Sequence, residues 1–401
     1  MDMRFNYVLV TEERNMNLSC MQRDLNSGVA AVVRAIPRSQ NPLASQLLAR
    51  TEGDSLVLVG TDGETVAITY KLKAAVATPG QITMEKARIS NLVNNLPNDE
   101  VTLESSESGN QAVVKCLRTK AEIAGFNPDE FLVTEFSGDT NISLPAQEFK
   151  LALNRTVVAA AQDDSRPVLT GVQFEFTPNQ LRLGAADGFR LSVHTLDIPG
   201  TNVTQSVIVP RNIVREVIRL IDELPIGTDN GSEVTVEMQV EDAPDGGTRV
   251  GFTVGPAQIT ASLVQGSFPS YEQLIPSDHE VSIEVSVASL METIRRADGF
   301  ARDSSNIVRF TATVGSADNV GKLAIRAQAD ESGTYDDEID ATVLGGDSNI
   351  AFNIAYIRDI LAVIDVETIN IEVTSSGNPG VIKAFGDDRL IHVVMPMYVQ
   401  W

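Results

Sequence analysis

The chain has 401 residues, with 54 Asp and Glu against 31 Lys and Arg, so its formal charge is −23 at pH 7. That charge argues against a protein that coats nucleic acid with a uniformly basic surface. Because 43% of the residues are hydrophobic, the chain can bury a core, and at roughly 100–200 residues per domain we expect two to four domains.

Cysteine content and hydropathy point to a cellular compartment. The two cysteines, Cys20 and Cys116, are too few for a disulfide framework and are typical of a reducing environment. No apolar run approaches the ~18–20 residues that span a bilayer, and the N-terminus lacks the pattern of a signal peptide. We therefore expect a soluble cytoplasmic protein with no membrane partner.

Three repeats follow one another along the chain. Each contains a segment of helical period, then a β-hairpin, then a second helical segment followed by an alternating strand. The predicted helices occupy 20–36 and 85–96 in the first repeat, 146–162 and 211–224 in the second, and 287–302 and 354–365 in the third.

Each predicted hairpin carries an aspartate at its turn. These residues are Asp62, Asp187 and Asp330, spaced by 125 and 143 residues, and a glycine follows each of the first two. Asp-Gly is a strong hairpin-turn signal. The constant order of elements predicts an α+β fold of three tandem similar domains, each with two helices packed on antiparallel sheets.

Loop-like segments at 126–140 and 268–279 separate the repeats. They predict a first domain at 16–139, a second at 140–276 and a third at 277–401, preceded by a flexible N-terminal extension at 1–15.

Catalytic and metal-binding patterns are missing. The three histidines, His194, His279 and His392, lie far apart, so no zinc-type cluster is visible. There is no phosphate loop, no dinucleotide-binding glycine pattern and no nucleophile elbow. We therefore predict no catalytic residue, no metal and no cofactor. An enzyme with an unrecognised carboxylate site is kept as an alternative.

The helical segments are much less acidic than the rest of the chain. With their flanking residues they hold fifteen basic and thirteen acidic residues, a net charge of +2, whereas the rest holds sixteen and forty-one, a net charge of −25. Arg211, Arg215 and Arg219 recur every four residues and so share one helix face. This partition favours a polyanion that is held loosely and on one side of an acidic body.

Four motifs resemble those of the bacterial sliding clamp, the beta subunit of DNA polymerase III. They are Arg166-Pro-Val-Leu169, Ala186-Asp-Gly-Phe-Arg190-Leu191, Phe268-Pro-Ser-Tyr-Glu-Gln-Leu-Ile-Pro276 and Val393-Val-Met-Pro-Met397. The resemblance covers residues 16–398. It implies a head-to-tail homodimer that closes a ring around duplex DNA without reading its sequence, in the bacterial cytoplasm and associated with the nucleoid.

The same resemblance implies a non-catalytic processivity factor. Its partners are the DNA polymerase III catalytic subunit, the clamp loader, and other polymerases and repair proteins, which bind through linear peptide motifs. The family binds these motifs in a groove between the second and third domains, and apolar pockets suit leucine and phenylalanine side chains. Matching the motifs predicts a groove formed by Leu169, Gly188, Arg190, Leu191, Pro269, Leu274, Tyr356, Val393 and Met395.

DNA-facing residues and a dimer contact are predicted as well. The resemblance assigns Arg38 and Arg166 to DNA, and the charge pattern of the helices adds Arg34, Lys150, Arg155, Arg211, Arg215, Arg295 and Arg296. For ring closure, the resemblance points to Phe300 of the third domain packing against the first domain around Ile123.

The chain departs from the family near the groove. Ala186 replaces a common threonine, Phe189 a histidine and Gln273 a cation, and the end at 398–401 differs from the usual Arg-Leu. We expect the partner motif to differ in detail for this reason. The remaining alternative is a tandem β-rich adhesion or carbohydrate-binding protein, which predicts secretion and no basic helices.

Overall fold

A computed structural model describes residues 16–39, 41–105, 110–131, 136, 138, 141–223, 234–242, 247–302, 305–315, 320–329 and 333–399. The predicted extension at 1–15 lies outside these ranges, as do Asp330 of the third hairpin and the last two residues of the chain. Within the described ranges, no helix is long and apolar enough to cross a membrane.

The elements of the first repeat are β1 (Asn17–Met21), α1 (Gln22–Val32), β2 (Gln46–Thr51), β3 (Ser55–Thr61), β4 (Val66–Lys73), β5 (Ala75–Thr78), β6 (Gln81–Glu85), α2 (Lys86–Asn95), β7 (Glu100–Ser105), β8 (Gln111–Cys116) and β9 (Thr119–Ala124). Those of the second are β10 (Ile142–Pro145), α3 (Ala146–Val157), β11 (Gly171–Thr177), β12 (Gln180–Ala186), β13 (Arg190–Asp197), β14 (Gln205–Pro210), α4 (Arg211–Asp222), β15 (Thr235–Asp242), β16 (Thr248–Val254) and β17 (Ala257–Ser262).

The elements of the third repeat are β18 (Val281–Ser286), α5 (Val287–Arg302), β19 (Ile307–Thr313), β20 (Val320–Ala329), β21 (Gly333–Leu344), β22 (Ser348–Asn353), α6 (Ile354–Leu361), β23 (Thr368–Val373), β24 (Gly380–Ala384) and β25 (Asp387–Val394).

Each predicted helix is present in the described part of the chain with an apolar face, and side chains cap the starts of α2 and α6. Leu25, Phe149 and Leu290, at matching positions of α1, α3 and α5, are fully buried. The Glu85 carboxylate accepts the first free backbone N–H groups of α2, and the Asn353 side chain does the same for α6. Caps of this kind satisfy donors that have no partner within the helix.

The chain divides into two compact units, and the second repeat contributes to both. The first unit comprises the residues up to Ser143 together with Asp222–Ser262. It contains a five-stranded sheet in the order β5-β1-β7-β8-β9 and an eight-stranded sheet in the order β10-β15-β16-β17-β4-β3-β2-β6. Because β17 pairs antiparallel with β4, strands of the first and second repeats share one sheet.

The second unit comprises Leu144–Ile221 and Leu263–Trp401. Its strands form one twelve-stranded sheet in the order β14-β11-β12-β13-β25-β24-β23-β18-β21-β20-β19-β22. Helix α3 packs on β11–β13, and α5 packs on β18–β21 and against α6. The antiparallel pair β13–β25 joins the strands of the second and third repeats. The predicted α+β fold of helices on antiparallel sheets is therefore confirmed.

Candidate partner groove and DNA-facing residues

The turn between β12 and β13 is held by Asp187. Its Oδ1 accepts hydrogen bonds from the backbone N–H groups of Phe189 and Arg190, at 2.9 and 3.0 Å. Gly188 has φ +95°, and a Cβ at this position would overlap the guanidinium of Arg166. Arg166 Nη2 also donates to the Asp187 carbonyl at 3.1 Å. This turn therefore favours glycine because of its backbone conformation, and the Arg166 guanidinium packs directly against it.

Arg190 fastens this turn to helix α6. Its Nε donates to Asp187 Oδ2 at 3.0 Å, and its Nη1 donates to Asp359 Oδ2 at 2.8 Å. The guanidinium also lies 4.4 Å from the ring centroid of Tyr356. Burial, with Asp187 nearby, raises the pKa of the Tyr356 phenol. Arg190 itself is only 7% exposed, so its guanidinium joins the turn to α6 and presents little surface to solvent.

The floor of the groove is the ladder between β13 and β25. Leu191 lies opposite Val393 in this ladder, and both are buried. They form an apolar cluster with Val193 and Tyr271. Burial raises the pKa of Tyr271 to about 12, and its hydroxyl has no hydrogen-bond partner among the described residues.

The rim of the groove exposes large apolar side chains. Phe189 and Leu274 are each 58% exposed and Met395 is 43% exposed. The backbone N–H of Met395 donates to the Phe189 carbonyl at 2.8 Å, which places these two side chains at the same end of the ladder. Exposed apolar side chains beside a buried apolar floor are typical of a peptide-binding groove.

All nine predicted groove residues lie in the second unit. Besides those above, Leu169 is buried and its N–H donates to the Arg166 carbonyl at 2.9 Å, and Leu274 closes the short turn that begins at Tyr271. Pro269 lies on the loop between Phe268 and Tyr271, whose rings pack edge to face at 6.0 Å. The structure thus brings the widely separated motifs to one region of the twelve-stranded sheet.

Arg166 was predicted to face DNA, but the structure places it at the groove turn, against Gly188. The sequence reasoning also omitted Asp187 and Asp359, which hold Arg190, and Tyr271 of the floor. The Asp-Gly turn was a usable signal for Asp187. No local pattern marks Asp359, because its partner lies 169 residues away.

The prediction that Arg155 faces DNA is wrong. Its side chain is 3% exposed and is paired with Asp365 and Asp387. Arg34 is bound through both guanidinium Nη atoms to Glu223, and Arg296 is bound to Asp337 and to the Tyr335 hydroxyl. Guanidinium groups held by carboxylates in this way are poorly placed to neutralise phosphates.

The other cations predicted to face DNA differ in exposure. Lys150 and Arg211 are half-buried. Arg38, Arg215 and Arg295 are exposed, and they form no ion pair with the residues that the structure describes. These three are the best remaining candidates for phosphate contact.

Of the two predicted dimer-contact residues, Ile123 is only 3% exposed and offers little surface to a partner. Phe300 is half-buried and stacks on Tyr335 at 5.7 Å between ring centroids. In the described ranges, no group of three His, Cys, Asp or Glu side chains is arranged to hold a metal ion.

Tandem α+β repeats of this architecture, in which the second and third repeats share a sheet, are typical of the DNA-clamp class. Family models for the DNA polymerase III beta subunit match in order along the chain, its N-terminal domain at 16–134, its central domain at 143–270 and its C-terminal domain at 272–398. The chain belongs to this family, the bacterial beta sliding clamps.

Individual relatives agree with this assignment. The beta sliding clamp of Synechococcus elongatus is 28% identical over 391 residues, covering 96% of this chain and all of the relative. The crystal structure of the Pseudomonas aeruginosa DNA polymerase III subunit beta is 26% identical, with a TM-score of 0.85 over 96% of this chain and all of that chain. A sliding clamp of the same organism bound to griselimycin superposes with a TM-score of 0.84, 26% identity and the same coverage.

Proposed function

We propose that the chain is a DNA sliding clamp that encircles duplex DNA as a ring-shaped homodimer and tethers the replicative polymerase. The match of all three repeats to the DNA polymerase III beta subunit carries this proposal. A clamp of this kind acts without catalysis. It raises the local concentration of a polymerase at its substrate, and contact to phosphates alone gives no sequence preference.

Two open strand edges support ring closure by pairing between protomers. In the described residues, β9 pairs only with β8, and the stretch of β21 before Thr342 pairs only with β20. Unpaired strand edges are templates for pairing with another chain, and a contact between two different edges is heterologous and can close a ring. This predicts a head-to-tail contact between β9 of one protomer and β21 of its partner.

The groove is proposed to bind linear motifs of the DNA polymerase III catalytic subunit, the clamp loader and other polymerases and repair proteins. The P. aeruginosa clamp bound to griselimycin supports this proposal, because it shows a relative with a ligand. The groove here offers an apolar floor at Leu191 and Val393 and an apolar rim at Phe189, Leu274 and Met395.

Processive synthesis tests this proposal. With the polymerase and clamp loader of the same cell on a primed circular template, the wild-type protein is expected to lengthen the products. The double variant Leu274→Ala/Met395→Ala should shorten them towards the length obtained without clamp. Phe385→Ala is the matched control, since Phe385 is also 58% exposed but lies at the opposite end of β25 from the groove. Products of clamp-free length with the wild-type protein would contradict the function.

Three exposed arginines predict the salt dependence of DNA binding: Arg38 in the loop after α1, Arg215 on α4 and Arg295 on α5. Changing Arg38, Arg215 and Arg295 together to glutamine should reduce the slope of log Kobs against log salt concentration by about 0.9 for each lost phosphate contact. Titration of labelled duplex DNA at several salt concentrations measures this slope. Changing the exposed strand residues Lys71, Lys73 and Lys322 to glutamine removes the same charge and should leave the slope within about one contact of wild type. Equal slopes for the two triple variants would refute the assignment.

A further inference from the structure

A buried polar network lies directly beneath the groove floor. Side chains alternate along a strand, so Leu191 and Val393 face the groove while Ser192, His194 and His392 face the opposite side of the same ladder. These three polar residues are at most 2% exposed. Arg155 of helix α3 is 3% exposed, and its charge acts on both imidazoles.

The contacts of this network join the second repeat to the third. Ser192 Oγ of β13 lies 2.6 Å from His392 Nδ1 of β25. The Arg155 guanidinium is bound to Asp365, which follows α6, and lies 3.7 Å from Asp387, the first residue of β25. Arg155 therefore holds the start of β25 through Asp387, and the contact between Ser192 and His392 holds the strand further along.

The groove contacts hold the other end of the same strand. The N–H of Met395, just after β25, donates to the Phe189 carbonyl, and Arg190 binds Asp359 on α6. The ladder between β13 and β25 extends only from Arg190 opposite Val394 to His194 opposite Leu390. On its other side β25 pairs with β24, so these side-chain contacts act on the placement of β25 against β13.

This network contributes little net free energy to folding. His194 Nδ1, His392 Nε2 and Arg155 Nε are buried and have no hydrogen-bond partner among the described residues. Burying unpaired polar atoms costs about 1–3 kcal/mol each, and well-packed apolar residues often replace buried polar groups without loss. A contribution to stability therefore does not explain why polar residues occupy these buried positions. A role in fixing the position of β25 does explain it.

We propose that Arg155, Ser192 and His392 are positioning residues of the partner groove, which set β25 against β13 and so fix the spacing of Val393 and Met395 from Leu191 and Phe189. The proposal rests on the groove function above. All three are at most 3% exposed, so they present almost no surface to a peptide. They act through β25: the buried network fixes the position of this strand, while the exposed apolar side chains of the rim remain free to adapt to a ligand.

The test compares groove affinity with stability. In the triple variant Arg155→Met/Ser192→Ala/His392→Phe, apolar side chains replace the network, and we expect it to fold. Its Kd for griselimycin, measured by calorimetry, should rise about tenfold or more while its retention on circular DNA stays at the wild-type level. Thr293→Val is the matched control, because Thr293 is a fully buried polar residue of α5 outside the network. It should leave the Kd unchanged.

A readout in the free protein makes the test independent of the ligand. The methyl NMR signal of Met395, assigned through Met395→Leu, should be single and sharp in the wild type and broadened or doubled in the triple variant. The single variant Ser192→Ala, which removes only the contact between Ser192 and His392, should broaden the signal measurably but less than the triple variant does. A wild-type Kd and an unchanged Met395 signal in the triple variant would overturn the positioning role. Failure of the wild-type protein to bind griselimycin would instead overturn the groove itself.

Discussion

Replacing Arg190 by methionine is expected to weaken griselimycin binding by about a hundredfold and to lower the free energy of unfolding by roughly 3 kcal/mol. The guanidinium binds Asp187 and Asp359 at once, and it lies against the ring of Tyr356. Methionine fills part of the volume but leaves two carboxylates without their common cation. The groove turn would then lose its attachment to α6.

The variant Arg190→Lys distinguishes the contribution of the positive charge from that of the guanidinium geometry. A lysine keeps the positive charge but presents no planar fork, so it cannot reproduce the Nε and Nη1 bonds to two separate carboxylates. We expect it to recover less than half of the lost binding free energy. Arg50→Met is the control, since Arg50 is also paired with a carboxylate, that of Glu52, but lies in the first unit, whereas the groove residues lie in the second. Wild-type griselimycin affinity in Arg190→Met would contradict the role given to this residue.

Stability is expected to fall steeply between pH 6.5 and pH 4. Burial, together with the Arg155 charge, lowers the pKa of His194 to about 4 and that of His392 to about 3. An unfolded histidine has a pKa of about 6.5, so below this pH the unfolded chain takes up protons that the folded protein rejects. Each histidine then destabilises the folded state increasingly as the pH falls, by up to ~3 kcal/mol near pH 4.

Carboxylates affect the free energy of unfolding at lower pH than the histidines do. Hydrogen bonds from Arg296 and Tyr335 lower the pKa of Asp337 to about 2, and hydrogen bonding to Arg389 lowers that of Asp387. Stability from such groups is present above the unfolded pKa of about 4 and is lost only below it. The loss between pH 6.5 and pH 4 is therefore assigned to the histidines.

Urea unfolding at pH 7.5, 6, 5 and 4.5 measures this effect. The double variant His194→Gln/His392→Phe should flatten the dependence over this range. An equally steep loss of stability in the double variant would show that other groups are responsible.

The sequence was informative wherever a feature is local. The 3.6-residue period and the buried anchors Leu25, Phe149 and Leu290 locate three of the helices. The Asp187-Gly188 turn was predicted for the same reason, because its hydrogen bonds and positive φ involve neighbouring residues.

Features that depend on distant residues could not be predicted from periodicity. Arg155 has the spacing and charge of a DNA-facing helix residue, and its burial depends on Asp365, which lies 210 residues away. The pairing of β17 with β4 across two repeats has no local signal either. The groove residues were found only through motifs shared with a known family, because Leu191 and Val393 look like ordinary core residues.

Retention on DNA of defined topology tests the central claim most directly. The protein is loaded onto a nicked circular plasmid, and gel filtration separates the complex from free protein. The plasmid is then cut once with a restriction enzyme and the filtration is repeated. We predict that the protein elutes with the circle and is released when the same DNA becomes linear, because an encircling ring slides off a free end. Equal retention on circular and linear DNA would contradict the ring.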